Sequence, residues 1–283
     1  MSTASDGIAE FIYHGVGGNL TPARTISAAD SAQGLISSLA LDTAGNLYAS
    51  YLGPPGKIAA WGPAGSGDAA RAIINMSGTH KLNSVRVDRA GQVYAATDSV
   101  LVFAAGATGT AAPVRTITLP FTQSSGNAFL DGFDAQGNLY VTSAIATTTY
   151  VNVYDPGANG AAAPLRTIAI DAGQFPVLTS SGTVDQTGHL YFPTNAPDQV
   201  LVFDGTAPSS SATPLRTIGG VSTLLFTPNG IAFDSTGTTY VADLRSDQIT
   251  VYTPAAAGNI APAAVIGGPA TQLHAPESIV VSP

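Results

Sequence analysis

Oxygen donors and imidazoles gather at a few recurring positions of this chain. Asn83, Asn229 and Glu277 share one repeat position with Ser37, Phe129 and Ser180, five residues ahead of a recurrent Asp or its counterpart. Eight residues ahead of the same point stand His80, Phe226 and His274, with Gly34, Gly126 and Val177 in the other copies. Asp98, Asn195 and Asp243 close a short apolar run further along. Two carboxylates, two amides and two imidazoles around one opening could hold a divalent cation. Oxygen ligands suit Ca²⁺ or Mg²⁺, and imidazole extends the choice to Zn²⁺ or Mn²⁺. The competing reading is structural, because Asn caps turns and Asp pins loops through backbone amides. No catalytic residue is singled out. The chain has no G-x-S-x-G, no cysteine, and no Lys-Ser/Thr after its Gly-rich stretch at Gly15–Gly18.

The elements that would position these residues are legible from internal repeats. An Arg-x-Ile tripeptide begins at Arg24, Arg71, Arg115, Arg166 and Arg216, with a decayed copy at Ala264-Val265-Ile266. Between them falls Asp-x-x-Gly, at Asp42, Asp88, Asp134, Asp185 and Asp234, each followed six residues later by Tyr48, Tyr94, Tyr140, Tyr191 or Tyr240. Both markers keep a spacing of 44 to 51 residues, a period that means a propeller or a helical solenoid. Short Val/Ile/Tyr/Phe-rich runs bounded by Gly, Pro, Asn and Asp exclude helix. Each repeat reads as four antiparallel strands, A to D, which is a propeller blade.

The expected fold is therefore all-β, a single six-bladed β-propeller domain spanning 1–283. Five blades fall at about 35–73, 82–117, 129–168, 180–218 and 229–266, and a shared blade joins 1–26 to 276–283. In this strand order the D-to-A and B-to-C connections ring the channel mouth, and the Asp turns lie on the opposite face. The repeated Asp, Arg and Tyr residues belong to every blade, so they read as turn formers and blade packing. A site should instead break the repeat.

Net charge is −8, with ten basic and eighteen acidic residues, only two of them Glu and only two of the bases Lys. Such a chain offers no electrostatic footprint for a phosphate backbone or an anionic membrane, which excludes nucleic acid and membrane surfaces as partners. Richness in Ala, Gly, Ser and Thr points to a secreted, periplasmic or cell-surface protein, although the opening MSTASDGIAE carries no signal-peptide pattern.

The pattern P-x-G-I-x-x-D-x-x-G-x-x-Y-V-A-D followed by I-x-V-Y, at Pro228–Tyr252, resembles the NHL-repeat β-propellers. That resemblance implies a six-bladed ring and leaves function open, since such propellers include binding proteins and enzymes alike. Within six-bladed propellers, Asn83, Asn229, Asp243 and Glu277 are similar in position type to the metal ligands of the gluconolactonase family. By that likeness they would hold Ca²⁺, Mn²⁺ or Zn²⁺ for hydrolysis of a lactone or ester. The leading expectation is a non-catalytic, monomeric propeller binding a small molecule or protein at the channel mouth. Its candidate residues are His80, Asn83, Phe129, Phe226, Asn229, Asp243, His274 and Glu277, and the metal-dependent hydrolase is the alternative.

Overall fold

The computed structural model describes residues 2–3, 7–27, 35–53, 55–63, 70–76, 81–120, 128–145, 148–171, 182–207 and 213–282. Strand-forming runs and turn signals produce five complete four-stranded antiparallel blades, each from one contiguous segment. Blade 1 comprises Ile36–Leu41, Leu47–Tyr51, Lys57–Trp61 and Ala72–Asn75. Blade 2 comprises Ser84–Val87, Val93–Ala96, Val100–Phe103 and Arg115–Ile117. Blade 3 runs through Ala128–Phe133, Leu139–Ile145, Thr148–Tyr154 and Arg166–Asp171. Blade 4 runs through Thr183–Val184, His189–Asn195, Asp198–Asp204 and Arg216–Gly219. Blade 5 holds Pro228–Phe233, Thr239–Asp243, Gln248–Tyr252 and Ala264–Gly267.

The chain ends meet in a composite sheet, ordered Pro276–Ser278, Ser2–Thr3, Gly7–Glu10 and Arg24–Ser27. Its first strand packs between the inner strands of blades 5 and 1, and Leu39 N donates to Ser278 Oγ at 3.1 Å. The expectation of a six-bladed ring is thereby corrected to five complete blades closed by a reduced sheet. That sheet's inner strands have only three and two residues, and the register shifts between Ser2 and Thr3.

Apolar alternation buries both faces of each blade against its neighbours, in six clusters that lie between sheets. Trp61, which ends the third strand of blade 1, is 1% exposed within one of them. The sequence markers hold the blades to each other. Each turn Asp accepts backbone N–H groups two and four residues on, as Asp88 Oδ1 does from Ala90 and Gln92 at 2.9 and 2.8 Å. Its second oxygen accepts the hydroxyl of the repeat Tyr, and the repeat Arg donates to that same hydroxyl: Arg115 to Tyr94 at 2.8 Å, Arg166 to Tyr140 at 2.8 Å, Arg216 to Tyr191 at 2.6 Å. The guanidinium then reaches carbonyls in the C-to-D loop of the next blade, Pro156 and Ala158 for Arg115, Pro254 and Ala256 for Arg216.

The same loops cover the outer strand edges, which would otherwise present unpaired backbone groups. Gly109, Gly160 and Gly258 form parallel bridges to Ile74, Ile117 and Ile218 of the preceding blade, and Gly18 does so to Ile266. At the last strap, Gly18 N donates to Val265 O at 2.7 Å and Gly267 N to Gly18 O at 3.1 Å. A Cβ on the adjacent Gly17 would fall on the Val265 backbone. Gly17→Ala is therefore expected to lower stability by about 2 kcal/mol, because a rigid main chain must shift. Urea denaturation checks it, and an unchanged midpoint would show that the strap carries no weight.

Candidate functional site

The inner strand of every sheet lines a central channel with a volume of about 870 Å³. Ser37, Asn83, Phe129, Asn229 and Glu277 all stand on its wall near the mouth. Local backbone geometry puts two of them there. Pairing skips Ser37 between Ile36 and Ser38 and skips Asn229 between Pro228 and Gly230; such bulges re-aim a side chain out of the ladder.

These side chains differ in how far the fold has engaged them. Ser37 Oγ lies 2.8 Å from Ser50 Oγ and donates to Leu82 O at 3.1 Å. Asn83 Nδ2 donates to Ala128 O at 3.1 Å. The Asn229 amide and the Glu277 carboxylate have no hydrogen-bond partner among the described residues. Burial alone holds the Glu277 carboxyl above its ordinary pKa.

The remaining candidates lie elsewhere. His80, Ser180, Gly34, Gly126 and Val177 fall outside the described residues. His274 is exposed, as are Asp98 and Asn195. Phe226 is half exposed, off the channel wall, with the Arg245 guanidinium 5.7 Å from its ring centre. Asp243 is fully buried away from the wall, and its Oδ2 accepts from Phe226 N at 2.6 Å. It thus pins the D-to-A loop of its own blade. Burial, partly opposed by that amide, raises its pKa.

Asn83, Asn229 and Glu277 share the channel wall, while Asp243 is committed to the loop. Among the described residues no group of three or more His, Asp or Glu side chains is placed to hold a metal ion.

Two further departures from the repeat went unread in the sequence. Two residues before the turn Asp, the inner strands carry Ala40, Arg86, Gly132, Thr183, Ala232 and Val280, so Arg86 puts a cation on the channel wall. Three residues before it stand Leu39, Val85, Asp131, Gly182, Ile231 and Ile279. Asp131, at a bulge between Leu130 and Gly132, is 1% exposed. It accepts from Thr142 Oγ1 at 2.6 Å and from Gly182 N at 2.8 Å. Desolvation pushes its pKa up to about 7, opposed by Thr142, by the charge of Arg86 and by Gly182. Aligning every position of the inner strand, not just the two at the mouth, would have exposed both residues.

The architecture defines a β-propeller. No protein-family model matches the chain, and no curated protein sequence does. Solved structures give the fold. A nidogen/laminin complex matches over 88% of this chain and 86% of its own, with a TM-score of 0.59 at 13% identity. A protein from Lactobacillus plantarum matches over 82% and 87%, with a TM-score of 0.53 at 16% identity. A streptogramin B lyase matches over 77% and 65%, with a TM-score of 0.52 at 13% identity.

Proposed function

We propose that this propeller is a non-catalytic binding protein that admits a small molecule to its central channel through the mouth ring. We read its repeats as NHL-like, and its Lys-poor composition as that of a protein working outside the cytoplasm. The observation carrying the reading is the channel of about 870 Å³, within the range of small-molecule sites, with the Asn229 amide and Glu277 carboxylate unengaged on its wall. Unpaired polar groups in a partly desolvated wall favour a ligand that supplies their hydrogen bonds. Propellers of this shape include a member of a protein–protein complex and a lyase, so a binding role is compatible with the fold without being required by it.

The test is a fluorinated fragment library screened by ¹⁹F NMR against the wild type, Asn229→Trp and Asp134→Asn. Fragments should bind the wild type and the opposite-face variant and be lost from Asn229→Trp, whose indole fills the mouth. An absence of hits, or hits indifferent to Asn229→Trp, would overturn the reading. Thermal melts with Ca²⁺, Mn²⁺ or Zn²⁺, with and without chelator, accompany the screen. No shift is expected; a rise abolished by Glu277→Gln would favour the hydrolase, since ligands of the native state raise its melting point.

A further inference from the structure

Arg86 is an expensive residue to place where it stands. Its equivalents around the ring are Ala, Gly, Thr, Ala and Val, and desolvation in the wall disfavours its charged form. One nitrogen, Nη1, donates to Ser38 Oγ at 3.0 Å and to Val85 O at 2.9 Å. Nη2 and Nε have no protein acceptor among the described residues, and no described carboxylate lies within 4.0 Å of the guanidinium. Asp131 acts on it only through space and already accepts from Thr142 and Gly182.

We infer that Arg86 anchors an anion subsite inside the channel, and that its ligand is a monocarboxylate bearing a hydroxyl or ammonium group at its other end. The inference rests on the channel-binding reading and deepens it. A planar guanidinium with free N–H groups matches the two oxygens of a carboxylate. The rest of the wall selects a single negative charge. Glu277 and the turn residues Asp42, Asp88, Asp185 and Asp234 outnumber Arg86 and Arg89, so a dianion meets net repulsion. Arg86 lies three residues along the strand from Asn83 in the mouth ring, roughly 10 Å at strand rise. A ligand of that length with its carboxylate on Arg86 brings its far end to Asn229 and Glu277, which accept from a hydroxyl or ammonium, and its body past Phe129.

The probe is 4-(aminomethyl)benzoate, compared by isothermal titration calorimetry with the neutral-amide analogue 4-(aminomethyl)benzamide and with inorganic phosphate. The acid should bind the wild type. Arg86→Gln should weaken it roughly ten- to a hundredfold, as expected for losing a charge-assisted pair, and Arg86→Lys should weaken it less. The benzamide should bind both proteins weakly and equally. Arg86→Lys, with a melting curve for each variant, keeps the test decisive if Arg86→Gln fails to fold. Acid binding indifferent to Arg86, a benzamide as tight as the acid, or phosphate bound more tightly than the acid would overturn the inference. So would failure of the acid to bind. Neutral fragments that bind the wild type and are lost from Asn229→Trp would then leave the channel reading standing alone.

Discussion

Asp131→Asn is expected to remove a pH dependence of stability that the wild type carries between about pH 4 and pH 7. The folded protein keeps a proton on Asp131 up to about pH 7, whereas the unfolded chain releases it near the ordinary carboxylate value of 3.8. The native state thus binds more protons across that window, and unfolding free energy falls as pH rises. The contribution is full below the unfolded value and gone above the folded one, with an integrated size of ~4 kcal/mol. Asn keeps an oxygen for Gly182 N and a partner for Thr142 without the charge. Urea midpoints of both proteins at half-unit pH steps give the difference. Parallel curves would mean that Asp131 is ionised throughout, held by Arg86 more strongly than its burial suggests.

Arg216→Ala is expected to cost about 3 kcal/mol, and Arg71→Ala less than about 1 kcal/mol, though both occupy the same place in the repeat. Arg216 donates to the Tyr191 hydroxyl at 2.6 Å and to Pro254 O and Ala256 O at 2.7 and 3.1 Å, and its guanidinium lies 5.5 Å from the Tyr191 ring centre. Removing it leaves three acceptors at a blade seam without their charged donor. Arg71 is exposed and, among the described residues, its side chain reaches only Asn46 Oδ1, at 3.5 Å. Chemical denaturation of the two variants side by side decides the matter. Equal losses would place the Arg contribution in the strand itself and not in the seam.

The propeller architecture was legible because its determinants are local and repeated. Asp-x-x-Gly sets a turn at each of its five copies, and Arg-x-Ile marks an outer strand whose Arg, in every copy but Arg71, reaches the next loop. In the composite sheet Gly7–Glu10 is the third strand. Repeat counting gives six positions, and the shared one is reduced because its inner strands have only three and two residues. The mouth ring was legible as a row of unlike residues at one repeat position. Asp243 misled because a carboxylate ending a strand serves equally as a ligand or as an acceptor for a loop amide. Its choice of Phe226 N depends on the left-handed backbone at Leu224 and Thr227, with φ of 59° and 67°, which no short pattern announces. Asp131 stayed hidden for a different reason. A bulge at Asp131 displaces one residue from the ladder, so the facing of each side chain along that strand depends on a kink that alternation alone does not mark.

The straps over the outer edges also impose an order of events on synthesis. Gly109, Gly160 and Gly258 each reach backwards, to a strand made earlier. During translation a new blade therefore stands with a bare flank only until its successor emerges from the ribosome. The flank at Ile266 needs no successor, because the segment holding Gly18 is made before it. There the seal is already waiting when the strand emerges.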